Sequence, residues 1–252
     1  MKTKLFWVIV SLITVLALGI GGARMTTSYA IDKLTGILNN DSFESAREQS
    51  EVNDVFNADF PRAQEIIKQD PSFLPKEYRQ NASEAQPGKM RTPYKVYLAS
   101  NDFIQRYQTD HCFGSVLSGQ HLWEAPLLDD TNRVVGASTA WQNNGKWEIA
   151  ATGLNIPAVM VKLSSDTEAI AKLLADNGLT GLKEIKHVRI HGAGMDAFYL
   201  VSETGKEYVV PMSHRPDIAG LENLKVYPVA EAMDVLSARF SPTIRDNIIL
   251  TR

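Results

Sequence analysis

Cysteine is nearly absent: Cys112 is the only one in 252 residues, so no disulfide can form within the chain. Stability must then come from packing and not from covalent staples. The lone thiol is either buried and inert, or exposed and able to bridge to a second chain. An excess of positive charge is also lacking, since 26 Lys and Arg face 29 Asp and Glu for a formal net charge of −3. Removing residues 1–30 takes away Lys2, Lys4 and Arg24 but no acid, which moves the charge to −6. A mildly acidic surface attracts neither nucleic acid nor anionic headgroups, and no nucleic-acid partner is expected. No internal repeat is visible by residue identity.

What is present begins at the amino terminus. Met1-Lys2-Thr3-Lys4 is a short basic start, and Leu5 to Ile20 is an uncharged, mostly apolar run. Gly21-Gly22 breaks the run, and Ser28-Tyr29-Ala30 places small residues at −3 and −1 of a cleavage site. This is the layout of a secretory signal. The apolar run is shorter than the roughly 20 residues that span a bilayer core, which favours a cleaved signal over an uncleaved anchor. Lys2 and Lys4 hold the amino end on the cytoplasmic side in either case. No cysteine follows the run, which speaks against a lipidated attachment. The expectation is an exported chain, secreted or anchored, touching the membrane only through this segment if it stays attached.

The 222 residues that follow are enough for a real core, and a hydrophobic share of 44% argues against disorder. Residues 31–78 read as helical. Ile31, Leu34, Ile37 and Leu38 share a face, a second stripe runs from Phe43 to Val55, and Pro61 opens a further helix capped by Asp59 and stopped at Asp70-Pro71. Residues 79–93, with Pro87-Gly88, read as a linker. Tyr94, Val96 and Leu98 then alternate as in a strand, and Ser100-Asn101-Asp102 caps a short helix carrying Phe103, Ile104 and Tyr107. A β-meander over 121–128, 133–142 and 146–153 follows. A two-residue Asn144-Gly145 loop would put Trp141 and Trp147 on opposite faces, whereas the three-residue loop expected at Asn143-Asn144-Gly145 pairs them on one face. Ser165 and Glu168 have capping-box spacing for a helix bearing Ile170, Leu173 and Leu174 and ending near Gly178. Strands at 185–191, 197–203 and 206–212 precede a last helix over 229–239. The class expected is α+β: a helical amino-terminal region, then antiparallel meanders packed with short helices. Residues 94–155 and 160–252 could divide into two small lobes.

Candidate chemistry is sparse. Cys112 with His111 or His121 is the first thiol–imidazole combination to consider, and His187, His191 or His214 could also fold back towards it, because a thiol nucleophile needs a base within hydrogen-bond reach. Cys112-Phe113-Gly114 matches no thiol-enzyme signature, and a lone cysteine usually packs as a small hydrophobe. His187 and His191 would share a helix face, but Val188 and Ile190 favour a strand. There the rings lie about 13 Å apart, too far to share a metal. They are expected as polar residues on an exposed face. Gly192-Ala193-Gly194 leads into a strand and reads as a turn, not a phosphate loop. Asp129-Asp130-Thr131-Asn132 offers oxygens for calcium but lacks the glycine and terminal glutamate of an EF-hand loop. Asn40-Asp41-Ser42 and Asn81-Ala82-Ser83 are sequons expected by chance. No metal or cofactor is expected. Tyr97, Trp123, Trp141 and Trp147 form a candidate binding face, with Gly136, Ala137, Ser138 and Ala140 allowing close approach. The function expected is an exported, non-catalytic binding or regulatory protein of the cell envelope or extracellular space, with a protein or peptide partner rather than a small molecule. The alternatives are a thiol-dependent hydrolase using Cys112, and a membrane-anchored extracytoplasmic sensor domain.

Overall fold

The computed structural model describes residues 31–36, 44–69, 87–153, 163, 166–213 and 219–240. Residues 1–30, the stripe residues Ile37, Leu38 and Phe43, Asp70-Pro71, both sequons, Ser165 and His214 lie outside them. Among the described residues no helix is long and apolar enough to cross a bilayer.

The fold is α+β, built on one nine-stranded, mostly antiparallel sheet. In chain order the elements are α1 (Ala46–Gln69), β1 (Lys89–Met90), β2 (Tyr94–Ala99), α2 (Phe103–Asp110), a 3-10 turn (Phe113–Val116), β3 (Leu117–Leu128), β4 (Val134–Asn143) and β5 (Lys146–Thr152). Then come α3 (Thr167–Asp176), β6 (Leu182–Ile190), β7 (Met195–Ser202), β8 (Glu207–Ser213), β9 (Tyr227–Pro228) and α4 (Val229–Phe240). The strands lie in the order β5-β4-β3-β2-β6-β7-β8-β9, with β1 paired to β3. Two antiparallel meanders therefore share one sheet, and the parallel pair β2–β6 is the seam between them, in register at Tyr97↔Val188 and Leu98↔Arg189.

Side-chain alternation assigns each face its helices. Met195, Ala197, Tyr199 and Val201 pack with α2 and α4, whereas Phe198 and Leu200 pack with α3 and the fully buried Leu34. On the first of these faces α1 covers the other meander. Val52 and Phe56 lie on Trp123, Ala125, Ala140 and Trp147, and Ala63 and Ile67 lie on Leu127 and Val135.

Four local expectations need correction. First, Pro61 does not open a helix: α1 runs through it from Ala46 to Gln69. A proline inside a helix removes one hydrogen bond, but the buried stripe Val52, Phe56, Asp59, Ala63 and Ile67 continues on both sides, and packing decides the outcome. Asp59 is no cap; it is buried and accepts a hydrogen bond from Thr152 Oγ1 at 3.0 Å. Second, the end of the supposed linker is sheet, since Lys89 and Met90 pair with Leu128 and Leu127.

Third, the β4–β5 loop has two residues, not three. Asn144 (φ 49°) and Gly145 (φ 78°) both take the left-handed conformation that a type I′ turn requires. Gln142 therefore faces Trp147, Trp141 faces Glu148, and the two tryptophans point to opposite faces. Further on, Ala140 pairs with Ile149 and Thr139 with Ala151, so Ala150 is the extra residue of a bulge in the edge strand. Fourth, the cap of α3 is Asp166, whose side chain accepts from Ala169 N at 3.2 Å.

Candidate functional site

Two polar clusters sit back to back on the central strands, one on each face. The first lies where the amino end of α1 meets β2 and β3. Tyr97 pairs with His121 and Lys95 with Trp123 across the strands, which puts all four on the α1 face. His121 stands 6.4 Å from the Tyr97 ring, 6.2 Å from Trp123 and 5.5 Å from Trp147, centroid to centroid. Its Nε2 lies 2.8 Å from Glu48 Oε1, and Trp123 Nε1 donates to the same oxygen at 3.1 Å. The buried Lys95 ammonium sits 5.2 Å above Trp123 and 5.8 Å from Tyr97, and Lys186 covers Tyr97 at 5.1 Å. Burial pushes the Glu48 carboxyl up. The hydrogen bonds from His121, Trp123 and the Glu44 amide, with Lys95 nearby, outweigh it and hold the group below the usual glutamate range.

Of the expected aromatic face, then, Tyr97, Trp123 and Trp147 gather around His121, but the two tryptophans are buried under α1. Trp141 is elsewhere: it points to the opposite face and is 51% exposed. The close-approach position is filled by the chain itself, because a Cβ on Gly136 would meet Ile67 Cδ1 at 3.3 Å.

The second cluster is buried on the α3 face and spans the seam. Arg189 on β6 reaches Glu124 on β3 through Nη1 at 2.7 Å, and donates Nε and Nη2 to the two oxygens of Asp196 on β7, both at 2.8 Å. Tyr94 Oη donates to Glu124 Oε2 at 2.6 Å and Thr139 Oγ1 to Oε1 at 3.3 Å. His187 Nε2 lies 3.1 Å from Asp196 Oδ2, with its ring stacked on Tyr94. Burial would raise the Asp196 carboxyl, yet Arg189 and His187 hold it far below the usual range. Burial lowers the Arg189 guanidinium, and Asp196 with Glu124 more than reverse this. Burial and Glu124 push the Tyr94 phenol well up. His187 is thus buried and not a polar residue on an exposed face, a second correction of register kind; His191 alone is exposed. The Nδ1 of His187 is the one buried side-chain nitrogen or oxygen among the described residues without a hydrogen-bond partner.

Cys112 is exposed. Its Sγ donates to Glu207 Oε1 at 3.5 Å, the Phe113 amide donates to Oε2 at 3.2 Å, and Tyr199 Oη donates to Oε1. His111 closes α2 in a left-handed conformation with its ring edge-on to Tyr107, while His121 belongs to the α1 cluster. The described residues bring neither imidazole into hydrogen-bond contact with Cys112. In the 129–132 turn, Asp129 Oδ1 accepts from Thr131 N, Thr131 Oγ1 and Arg133 N, and Oδ2 accepts from Arg133 Nε at 2.6 Å. Its oxygens are spent on the turn itself. His191–Ala193 forms a 3-10 turn that Gly194 closes at φ 58°, leading directly into β7.

Glu124, Arg189 and Asp196 were not singled out by the sequence reading. Only Glu124 carried a signal of its own, as a charged residue inside the continuous apolar run from Leu122 to Leu128. No family model, curated protein or solved structure matches the chain.

Proposed function

We propose that this chain is an exported, non-catalytic binding or regulatory protein of the cell envelope or extracellular space, with a protein or peptide as its partner. The export reading is supported by the basic, apolar and small-residue order of residues 1–30. The binding reading is carried by Trp141. It is the one large apolar side chain among the described residues left mostly in water. It stands near the tip of the β4–β5 hairpin, beside a cross-strand hydrogen bond from Asn143 Nδ2 to Glu148 Oε2 at 3.1 Å. Tryptophan ringed by polar groups is the kind of residue that anchors protein interfaces.

The test is site-specific photo-crosslinking in the source cells from position 143, which is exposed and on the same sheet face as Trp141. One discrete adduct that disappears in Trp141→Ser supports the reading. No adduct, or one indifferent to Trp141, removes it. Amino-terminal sequencing of the accumulated protein separates export with cleavage, where Ile31 is first, from the anchored sensor, where Met1 remains.

A thiol-dependent hydrolase is the second reading, favoured by the exposure of Cys112. It requires an imidazole to reach a thiol whose present partner is the Glu207 carboxylate. Iodoacetamide labelling of the folded protein from pH 5 to 9 tests it. A reaction with an apparent midpoint well below about 8.5 supports a thiol enzyme, and one that follows ordinary thiol behaviour removes it.

A further inference from the structure

The amino end of α1 converges on one carboxylate. Glu48 Oε1 takes Trp123 Nε1 and lies against His121 Nε2, both from β3, while Oε2 accepts the backbone amide of Glu44. The Glu48 amide in turn donates to Ser45 Oγ at 3.1 Å. One side chain therefore fastens the start of the helix and ties it to the sheet. We propose that Glu48 is an acid-sensitive latch: loss of its charge frees the first turns of α1, about residues 46–56, and uncovers Trp123 and Trp147, while β6–β8 stay folded.

The surroundings set the direction. Facing Glu48 are Glu44 from the segment before α1, Lys95 from β2 and His121 from β3; β5 contributes only the uncharged Trp147. Glu44 Oε1 lies 3.7 Å from His121 Nδ1 and 3.9 Å from Lys95 Nζ. Beyond this ring, Lys186 pairs with Glu184 on β6, and Arg47 pairs with Glu51 on α1 itself. The Glu48 carboxyl is depressed in the fold, so its contribution is complete above the ordinary value of about 4.3 and is lost as pH falls through the folded value. The carboxyl half of α1 is held differently, by Ala63 and Ile67 against Leu127 and Val135. On the seam, Asp196 is held lower than Glu48 and keeps its charge longer.

Hydrogen exchange of the full chain, read by peptide mass and corrected for intrinsic rates, tests the latch. In Glu48→Gln at pH 7, and in the wild type taken below pH 4, peptides within 46–56 should exchange about tenfold faster or more. Peptides from β6–β8 should be unchanged, as should all peptides of the control Glu51→Gln on the exposed side of α1. The proposal is overturned if Glu48→Gln protects 46–56 as well as the wild type does. It is equally overturned if acid opens every segment together. Should Glu48→Gln fail to fold, the wild-type acid series decides alone by the same segment-by-segment comparison.

Discussion

Replacing Arg189 by methionine tests how the seam is held. Among the described residues, Arg189 is the cation in contact with both Glu124, which is fully buried, and Asp196, which is 4% exposed. Methionine fills similar space but leaves two carboxylates in the interior without their counter-charge. Breaking a buried pair from one side typically costs about 3–5 kcal/mol, because an uncompensated charge stays behind. At about 2–4 °C per kcal/mol for a chain of this size, the melting temperature should fall by roughly 6–20 °C. The decisive step is a double-mutant cycle with Glu124→Gln, read by urea unfolding. In the wild type that change weakens the pair to Arg189 and should destabilise. In the Arg189→Met background it removes a stranded charge and should stabilise, by about 1 kcal/mol or more. Costs that add to within about 0.5 kcal/mol in the two backgrounds would refute the coupling.

Three further outcomes are expected. The carboxyls of Glu48, Asp129 and Asp196 are depressed, so their contributions are present above about pH 4.3 and fall away in acid. Burial raises the phenols of Tyr94 and Tyr199, helped by Glu124 and Glu207, so their contributions are present below about pH 10 and are lost as alkali ionises them. Urea midpoints plotted against pH should show a plateau with two falling flanks, and an alkaline flank unchanged in Tyr94→Phe would count against the Tyr94 assignment. Gly220→Ala should cost about 1–3 kcal/mol, since Gly220 has φ +74° and an added Cβ would lie 2.2 Å from Arg239 Nε; thermal melting reads this directly, and a neutral result contradicts it. Trp123→Ala should cost about 3–5 kcal/mol, whereas Trp141→Ser should stay within about 0.5 kcal/mol of the wild type, the contrast following from 1% against 51% exposure. Equal effects on stability would mean that Trp141 is structural and not an exposed anchor.

What could be read from the chain followed from local periodicity. The alternation in Tyr94, Val96 and Leu98 and the stripe in Ile170, Leu173 and Leu174 depend on near neighbours, and the structure has a strand and a helix there. Where two local rules competed, the sequence offered no way to weigh them. Pro61 marks a helix start by local rule, yet the apolar stripe of α1 passes through it, and only the sheet beneath supplies the energy that decides. At Asn144-Gly145 the dipeptide pointed to a two-residue turn, and the attraction of pairing two tryptophans argued for three. The turn won because its φ angles are fixed by the backbone, while Trp147 obtained burial from α1 and needed no tryptophan opposite it.

Register is also why the polar clusters escaped notice. Glu48 and His121 are 73 positions apart, and Glu124 and Arg189 are brought together across the parallel seam, where no turn fixes one strand against the next. A charged residue in the middle of an apolar strand still carries information before its partner is known, because burying it alone is too costly. Glu124, within Leu122-Trp123-Glu124-Ala125-Pro126-Leu127-Leu128, calls for a buried cation, whereas Arg189, alternating with Val188 and Ile190, reads locally as a solvent-facing residue. The structure supplies that cation from two strands away: Arg189 on β6 reaches over β2 to Glu124 on β3. An Arg189→Glu/Glu124→Arg exchange puts this to the test. If charge pairing across the seam is the main requirement, the exchanged protein should recover part of the stability lost by either single change, as measured by urea midpoint. If the bidentate hold of Arg189 on Asp196 matters more, the exchange should rescue nothing, because it places a glutamate beside Asp196 and moves the guanidinium two strands away, from β6 to β3.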